Sequence, residues 1–368
     1  MRIAYTHHAF TSQADGGVSR YYYSLLREFF SDSYLGKVFS PLYDNIRLKS
    51  LSDDQIYGVC VGKIYPGSRR LISIINDVVS TRAIKSWAPE VIHQTYYTQD
   101  PVFGNGSRVV LTVYDMIHEL YRGIHFGDND PTLRKKIKSL RNADHIICIS
   151  ENTKKDLLDF YPECEKKVSV IHLGCDQFIN LQCRDDIQSL IDDPYLLFVG
   201  GRSGYKNFSR VLDAFSASET LKSDFILVTC SYEPFTQQEI QKINDLGIPR
   251  GRVKRVKADD SVLSSFYSNA VALIYPSLYE GFGLPPLEAM SLGCPVICSN
   301  TSSIPEIVGP AGKYFDPCDT ESIQSAIEDV VYSDLERRSF ILKGYERVKK
   351  FTWDNCISET KCVYDSLV

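Results

Sequence analysis

The stretch YPSLYEGFGLPPLEAM, residues 275–290, sets two carboxylates, Glu280 and Glu288, on either side of a turn rich in glycine and proline. The glycines let the backbone bend and approach a ligand without a Cβ clash. Pro285 suits the first turn of a helix, where its missing amide hydrogen is not needed. The spacing therefore predicts a helix that begins near Leu284, with Glu280 in the preceding loop and Glu288 about one turn inside the helix.

The start of this predicted helix is a favourable place for an anion. Free backbone amides and the positive end of the helix dipole would face the same space as Glu280. Glu288 would accept hydrogen bonds from a pair of vicinal hydroxyls. Taken alone, the motif has an alternative interpretation, in which an ordinary loop leads into a capped helix and both carboxylates are solvated.

A second motif, VGGRSGYKNF at residues 199–208, directly follows a predicted strand. It carries two cations, Arg202 and Lys206, in a glycine-containing loop, so charges and amides can converge on a diphosphate. The spacing differs from that of a GxGxxG or a Walker loop, which disfavours a dinucleotide or ATP site. A solvated pair of basic residues is the alternative.

Short β-branched or aromatic runs alternate with amphipathic stretches along the chain, which is typical of parallel strands joined by helices. A chain of 368 residues suits two domains. Two doubly wound α/β domains facing a cleft would bring ligand sites to the carboxyl ends of their strands. The predicted strands include RIAY, EVIHQT, RVVLTVYD, HIICIS and VSVIHLG in the first half, and YLLFVGG, DFILVTC, RVKRVK, VALIYPS and PVICSN in the second.

Composition and charge exclude several classes of protein. The net charge of −5 disfavours a nucleic-acid binder, which is usually basic. Neither a signal peptide nor an apolar run of membrane-spanning length is apparent, so we expect a cytoplasmic protein. The eleven cysteines are interpreted as reduced, mostly buried thiols. Without clustered Cys/His spacing or a suitable acidic motif, no metal and no cofactor are expected, and His7 and His8 are interpreted as structural.

Residues 275–290 resemble the Glu-x7-Glu signature of the retaining nucleotide-sugar glycosyltransferases with the GT-B fold, the group often called family 4. The resemblance covers nearly the whole chain. It implies that Glu280 lies beside the donor sugar and that Glu288 binds the nucleotide ribose. It also implies a donor pyrophosphate held by the cations of the second motif and by amides near the helix start. The donor-binding residues implied in this way are Gly16, Gly17, Arg202, Lys206, Phe282, Gly283, Leu284 and Glu288.

Two further motifs lie in the first half of the chain. DGGVSRYY, residues 15–22, resembles the family loop that approaches the donor phosphates, although glycine pairs after a strand are also common turns. LTVYDMIHELY, residues 111–121, ends a strand at Asp115, where many relatives have His-Asp and this chain has Tyr114 before the aspartate. The resemblance implies that Asp115 and His118 act toward the transferred sugar or the acceptor. The alternative is that Asp115 caps a helix and His118 packs on its surface.

The predicted domain organisation follows from these motifs and from the resemblance. We expect an acceptor-side domain at residues 1–176, a linker at 177–193 and a nucleotide-sugar-binding domain at 194–350. By analogy with the family, residues 351–368 form a helix that crosses back to the first domain. The alternative is an ordinary packing helix of the second domain.

The resemblance thus implies a retaining, metal-independent glycosyltransferase similar to those of bacterial surface-polysaccharide synthesis. By analogy with bacterial surface-polysaccharide enzymes, GDP-mannose is the leading donor, and UDP- and dTDP-sugars stay open. The acceptor is a saccharide, expected to be lipid-linked at the inner face of the plasma membrane. The basic run at residues 134–141 can approach anionic lipid, with a solvated helix face as the more common explanation. The rivals are a GT-B nucleotide-sugar epimerase or phosphorylase, and a non-catalytic sugar-nucleotide-binding scaffold.

Overall fold

The chain folds into two compact units. The first contains Met1–Leu173 and Trp353–Val368, and the second is Gly174–Thr352. The predicted linker lies outside the described residues apart from Ile191 and Asp193. The computed structural model describes residues 1–12, 16–30, 33–62, 64–100, 102, 106–127, 129–175, 191 and 193–368.

The first unit is built on a parallel sheet. Its strands are β1 (Arg2–Thr6), β2 (Leu35–Tyr43), β3 (Ile56–Cys60), β4 (Val91–Gln94), β5 (Arg108–Val113), β6 (His145–Cys148) and β7 (Val168–Val170). In the described part of this unit they lie in the order β3-β2-β1-β4-β5-β6-β7, so the winding reverses between β1 and β4. Its helices are α1 (His8–Ser12), α2 (Gly17–Glu28), α3 (Arg69–Trp87), α4 (Ile117–Leu120), α5 (Pro131–Asn142) and α6 (Glu151–Phe160), joined by the C-terminal helix, Trp353–Leu367.

The second unit repeats this plan. Its strands are β8 (Tyr195–Val199), β9 (Ile226–Cys230), β10 (Val253–Val256), β11 (Ala272–Tyr275), β12 (Val296–Ser299) and β13 (Gly312–Phe315). Their order is β10-β9-β8-β11-β12-β13, with the reversal between β8 and β11. Its helices are α7 (Phe208–Ala217), α8 (Glu219–Asp224), α9 (Gln237–Asp245), α10 (Asp260–Asn269), α11 (Leu284–Ser291), α12 (Ile304–Val308), α13 (Thr320–Val331) and α14 (Asp334–Val348), and the C-terminal helix is therefore α15.

The predicted fold class, two parallel α/β domains, is confirmed. Each of the ten predicted strand segments contains a strand, whereas β2, β3 and β13 were not predicted. Strand β2 contains Pro41, which cannot donate to the ladder, and its pairing with β3 shifts register between Phe39 and Leu42. Because of this proline, the sequence pattern of β2 is atypical of a strand, and β2 was not predicted.

Polar side chains fix where several helices begin. Ser150 accepts a hydrogen bond from the Thr153 amide at 3.0 Å and so caps the start of α6. At the start of α9, Thr236 and Glu239 form a capping box, in which each side chain bonds the other residue's backbone amide. These contacts satisfy amides that would otherwise have no partner in the first turn.

Helix α15 belongs to the first unit and packs against its sheet. Tyr364, fully buried in α15, lies with its hydroxyl 3.3 Å from the Tyr5 hydroxyl of β1. The same hydroxyl lies 2.5 Å from Nδ1 of His93 in β4, and Nε2 of this histidine meets the Thr112 hydroxyl at 2.8 Å. The chain thus returns to its first unit after completing the second.

Candidate active site

The candidate site of the second unit lies where the winding of its sheet reverses. Strands β8 and β11 are neighbours there, and each is followed by a loop at its carboxyl end. Such a reversal opens a crevice in doubly wound sheets, and ligands usually bind in it. The Leu278 amide of the second loop donates to the Tyr205 carbonyl of the first at 2.7 Å, so the loops are joined.

An ion pair connects the two principal motifs. Lys206 Nζ lies 2.6 Å from Glu280 Oε1, with the side chains 22% and 12% exposed. The ammonium also lies 5.2 Å from the ring centre of Tyr205 and 5.9 Å from that of Tyr275. Burial and the Glu280 charge raise the pKa of Tyr275 well above its ordinary value, so this phenol stays protonated. The geometry thus brings the cation of one motif against the carboxylate of the other.

The loop after β8 ends at a residue in the left-handed region. Asn207 has φ 58°, and its side-chain amide donates to the carbonyls of Pro276 at 3.1 Å and Pro317 at 2.8 Å. Asparagine tolerates this conformation better than most residues with a side chain. It therefore fixes the end of the Lys206 loop against the Glu280 loop.

Two serines that were not singled out from the sequence hold the backbone of the Glu280 loop. The Glu280 amide donates to Ser302 Oγ at 2.9 Å, and Ser302 has φ 52°. Ser303 Oγ bonds the carbonyls of Glu280 at 2.9 Å and Phe282 at 2.8 Å. Both serines follow strand β12, so the only sequence signal was a polar run directly after a strand.

The turn after Glu280 leads into α11, which begins at Leu284 as predicted. Gly283 precedes the helix with φ 109°, a conformation that side chains other than glycine rarely adopt. Phe282 is buried and packs edge-on against Phe351, with 5.9 Å between ring centres. The packing anchors the loop just before the first free amides of the helix.

Glu288 lies inside α11 and is only 5% exposed. Its Oε2 accepts a hydrogen bond from the Tyr267 hydroxyl of α10 at 3.0 Å. Burial and the Glu288 charge raise the pKa of Tyr267 well above its ordinary value. Tyr267 thus orients the carboxylate, a contact that the sequence pattern did not indicate.

Arg202 makes its contacts with the segment after β9. Its guanidinium bonds both oxygens of Glu239, at 2.7 and 3.2 Å, together with the Ser231 hydroxyl. The carbonyls of Glu233 and Pro234 accept two further bonds at 3.0 and 2.6 Å. A guanidinium has five N–H donors, and here all five have acceptors.

The arrangement around Arg202 is that of a clamp joining two loops. Arg202 is 5% exposed and Glu239 is 19% exposed. Burial acts to raise the pKa of Glu239, but the hydrogen bonds from Arg202 and Thr236 outweigh it and hold that pKa below its usual range. Glu239 therefore serves both the capping box of α9 and the arginine. The predicted contact of Arg202 with a diphosphate stays a prediction.

The first-unit candidates follow β5. The Asp115 carboxylate accepts from the Ile117 amide at 3.1 Å, as a helix-start cap would. His118 Nδ1 lies 2.5 Å from Asp130 Oδ2, and the imidazole packs at a tilt against the Phe126 ring with 4.2 Å between ring centres. Burial acts to raise the pKa of Asp130, but bonds from Thr132 and His118 leave it below its usual range. A His-Asp pair thus exists here, although Asp130 was not predicted.

Tyr114 and the glycine pair complete the predicted set. Tyr114 is buried, and its hydroxyl donates to the Thr95 carbonyl at 3.4 Å, so it is a packed side chain. Gly16 precedes α2, and its carbonyl accepts from the Arg20 amide at 3.0 Å. Gly17 begins that helix, while Asp15 lies outside the described residues. The roles predicted for these glycines, Asp115 and His118 stay predictions.

Two family models match this chain in succession. The model described as Glycosyltransferase Family 4 matches residues 15–177, and the one described as Glycosyl transferases group 1 matches residues 184–347. The two models together identify the chain as a glycosyltransferase. The chain belongs to the family 4-type glycosyltransferases with the GT-B fold.

Curated relatives are similar at modest identity. O-antigen chain mannosyltransferase B of Escherichia coli is 29% identical over 271 residues, which are 71% of this chain and 71% of that protein. Serotype-specific mannosyltransferase WbdA of Escherichia coli is 24% identical over 298 residues, 74% of this chain. Those residues are 36% of WbdA, so the matched region spans about a third of that relative's length.

Solved structures share this fold. Sucrose-phosphate synthase from Thermosynechococcus elongatus superposes with a TM-score of 0.76 at 19% identity, covering 100% of this chain and 99% of that chain. Anabaena HepE, solved in complex with UDP and glucose, superposes with a TM-score of 0.74 at 17% identity, covering 100% of both chains. At these identities the likeness establishes the fold.

Proposed function

We propose that this chain transfers mannose from GDP-mannose to a hydroxyl of a saccharide acceptor, with retention of the anomeric configuration. The observation that carries the proposal is the Lys206–Glu280 pair at 2.6 Å, at the winding reversal of the second unit. The choice of mannose rests on the similarity to an O-antigen chain mannosyltransferase and a serotype-specific mannosyltransferase. An epimerase, a phosphorylase and a scaffold are not favoured, because those relatives are named as transferases.

Charge on the leaving diphosphate is the main electrostatic problem of such a reaction. Preorganised cations and amides stabilise that charge most effectively when their positions are already fixed. Lys206 supplies the cation and the start of α11, near Gly283 and Leu284, supplies amides. A diphosphate would compete with Glu280 for the Lys206 ammonium. This set of groups does the task without a metal, so we propose metal-independent transfer.

The two glutamates would act on different parts of the donor. Glu280 would orient the donor sugar beside the reacting carbon once the diphosphate has taken over Lys206. Glu288, held through Tyr267, would accept from the ribose hydroxyls of the nucleotide. Phe282 would keep the loop between them in place, since it is buried against Phe351.

The remaining predicted residues are four residues of the first unit and Arg202, which forms the clamp with Glu239. Gly16 and Gly17 would bring backbone amides to the donor phosphates, and Asp115 and His118 would meet the sugar or the acceptor. Asp130 would orient His118 through its 2.5 Å contact. Arg202 would bind the diphosphate by exchanging some of its five protein acceptors for phosphate oxygens.

An exposed apolar stripe on α3 supports a lipid-linked acceptor and peripheral membrane contact. Leu71, Ile74, Ile75 and Val78 are 61%, 53%, 37% and 47% exposed and recur at helical spacing. Lys85 lies on the same face two turns further on. Apolar side chains with a cation on one helix face favour the surface of an anionic bilayer.

Two further observations bear on this contact. The basic run at residues 134–141 is a weaker candidate, because Lys136 is fully buried in an ion pair with Glu119 at 2.7 Å. Among the described residues, every helix is too short or too polar to cross a membrane. Sedimentation with phosphatidylglycerol vesicles tests the stripe: we expect binding that Ile74→Ser with Val78→Ser removes. Equal binding by that double variant would contradict the membrane contact.

A transfer assay tests the whole proposal. Radiolabelled GDP-mannose is incubated with the protein in EDTA and a lipid extract from a polysaccharide-producing bacterium, and the lipid product is digested with α- or β-mannosidase. We expect label that α-mannosidase releases, because the mannose of the donor is α-linked. Release by β-mannosidase would contradict retention, and a requirement for a divalent ion would contradict metal independence. An epimerised donor, phosphate-dependent turnover, or binding without turnover would favour one of the rivals.

A further inference from the structure

A cluster of two imidazoles and a carboxylate lies in the first unit, apart from the groups used above. His7 and His8 directly follow β1, at the winding reversal of that sheet, and Asp77 lies within α3. Asp77 Oδ1 is 3.0 Å from His7 Nε2 and 3.3 Å from His8 Nε2. The two rings stack with 4.2 Å between their centres, so both Nε2 atoms face the same carboxylate oxygen.

The opposite nitrogen of each ring is held by a threonine. His7 Nδ1 meets the Thr11 hydroxyl at 3.3 Å, and His8 Nδ1 meets the Thr6 hydroxyl at 3.0 Å. Such contacts fix ring orientation and choose which nitrogen is free for a ligand. The rings are therefore held in place by atoms other than those that face Asp77.

Simple hydrogen bonding accounts for only part of this arrangement. His7 Nε2 makes a hydrogen bond to Asp77, but His8 Nε2 is a buried atom without a hydrogen-bond partner, although it lies 3.3 Å from the same oxygen. A buried polar atom without a partner is unfavourable and calls for an explanation. A cation between the three atoms would satisfy all of them.

We propose that His7, His8 and Asp77 bind a divalent transition-metal ion of the zinc class through Nε2, Nε2 and Oδ1. The three ligand atoms lie within 4.8 Å of one another. A tetrahedral ion with Zn–N bonds of about 2.0–2.1 Å has ligands roughly 3.4 Å apart, close to the distances found. Two imidazoles with one carboxylate favour Zn²⁺ over Mg²⁺ or Ca²⁺, which prefer oxygen ligands.

The site joins the segment after β1 to α3, the helix that carries the exposed apolar stripe. It goes beyond the proposed function, because the donor groups of the second unit need no metal. It also departs from the expectation that His7 and His8 are purely structural and that the chain binds no metal. An ion here would stabilise the first unit and leave the fourth coordination position for water or another ligand.

The test uses the full chain with its purification tag removed, stripped with EDTA and dialysed against metal-free buffer. Calorimetric titration with ZnCl₂ measures stoichiometry, and Co²⁺ absorption reports whether thiolates coordinate. We expect one equivalent of Zn²⁺ at micromolar protein, a rise in the thermal unfolding midpoint, and a Co²⁺ spectrum without thiolate charge-transfer bands.

Variants assign the ion to the cluster. Asp77→Asn and His8→Ala should lose the bound equivalent, while His125→Ala, at an exposed histidine in the same unit, should keep it. Circular dichroism of the metal-free variants checks that they fold, and Asp77→Asn preserves the side-chain shape. Failure of the wild type to bind Zn²⁺ would overturn the proposal. So would thiolate bands, or a bound equivalent retained in both cluster variants, because the ion would then lie at cysteines or elsewhere.

Discussion

Lys206 and Glu280 form an ion pair at 2.6 Å although they are 74 residues apart in the chain. Each follows a strand, β8 or β11, at the winding reversal of the second sheet. The pair keeps the ammonium compensated and places a carboxylate beside it. A donor diphosphate would release Glu280 by binding Lys206, which couples donor binding to the availability of the carboxylate.

Replacing the lysine tests its part in donor binding. We expect Lys206→Met to weaken GDP-mannose binding by about 10- to 150-fold, because a hydrogen bond to a charged group contributes roughly 1.5–3 kcal/mol. Isothermal titration calorimetry measures the change. Lys242→Met is the matched control, since Lys242 pairs with Asp213 on the surface at 2.8 Å. Equal losses of GDP-mannose affinity in the two variants would contradict a role for Lys206 in donor binding.

Replacing Glu280 should affect nucleotide binding and turnover in different ways. In Glu280→Ala the Lys206 ammonium has lost its internal counter-ion, so GDP should bind as tightly as in the wild type or more tightly. Transfer should nearly vanish, because the variant lacks the carboxylate proposed to orient the donor sugar. Parallel calorimetry and transfer assays separate the two effects. Wild-type turnover in this variant would contradict the role proposed for Glu280 in transfer.

Arg202→Ala distinguishes a clamp from a phosphate ligand. The contacts predict a loss of about 3 kcal/mol in the free energy of unfolding, because the change leaves Glu239 without its partner. Urea unfolding measures the loss, and donor calorimetry on the same protein measures affinity. Unchanged stability with a large drop in affinity would instead support the predicted diphosphate role. Glu239→Gln is the companion variant, since it weakens the clamp and leaves the arginine present.

His93 predicts a pH dependence of stability. Burial lowers the pKa of His93 to about 3, against about 6.5 in the unfolded chain. Between these values the unfolded chain binds the proton and the folded chain does not, so stability falls as pH falls from 6.5 toward 3. The slope from one such group is at most about 1.4 kcal/mol per pH unit. His93→Gln should make the thermal unfolding midpoint less dependent on pH between pH 6.5 and 4. An unchanged dependence of the midpoint on pH would contradict this.

The sequence predicted the two-domain α/β plan because strand runs and helix starts are local signals. It also predicted the helix start at Leu284, where a glycine with φ 109° and a following proline act over a few residues. It did not predict strand β2, whose internal Pro41 is atypical of a strand. Local pattern alone therefore sufficed for the elements that carry the two main motifs.

Contacts between distant segments were beyond the sequence signal. The motif spacing placed Arg202 and Lys206 in one loop. Their partners lie in different segments, because Arg202 pairs with Glu239 of α9 and Lys206 pairs with Glu280 in the loop after β11. Ser302 likewise carries no pattern that separates a loop-holding serine from an exposed one. Such choices depend on which loops meet at a sheet edge, and that is a property of the folded chain.

The most direct test of the central claim is the thermal unfolding midpoint of the purified protein with GDP-, UDP-, dTDP- and ADP-sugars in EDTA. A ligand that binds only the folded chain raises the midpoint. The account predicts a rise with GDP-mannose that is absent in Lys206→Met and preserved in Lys242→Met. No rise with any of these donors, or a rise of equal size in both variants, would contradict a nucleotide-sugar site at the Lys206–Glu280 pair.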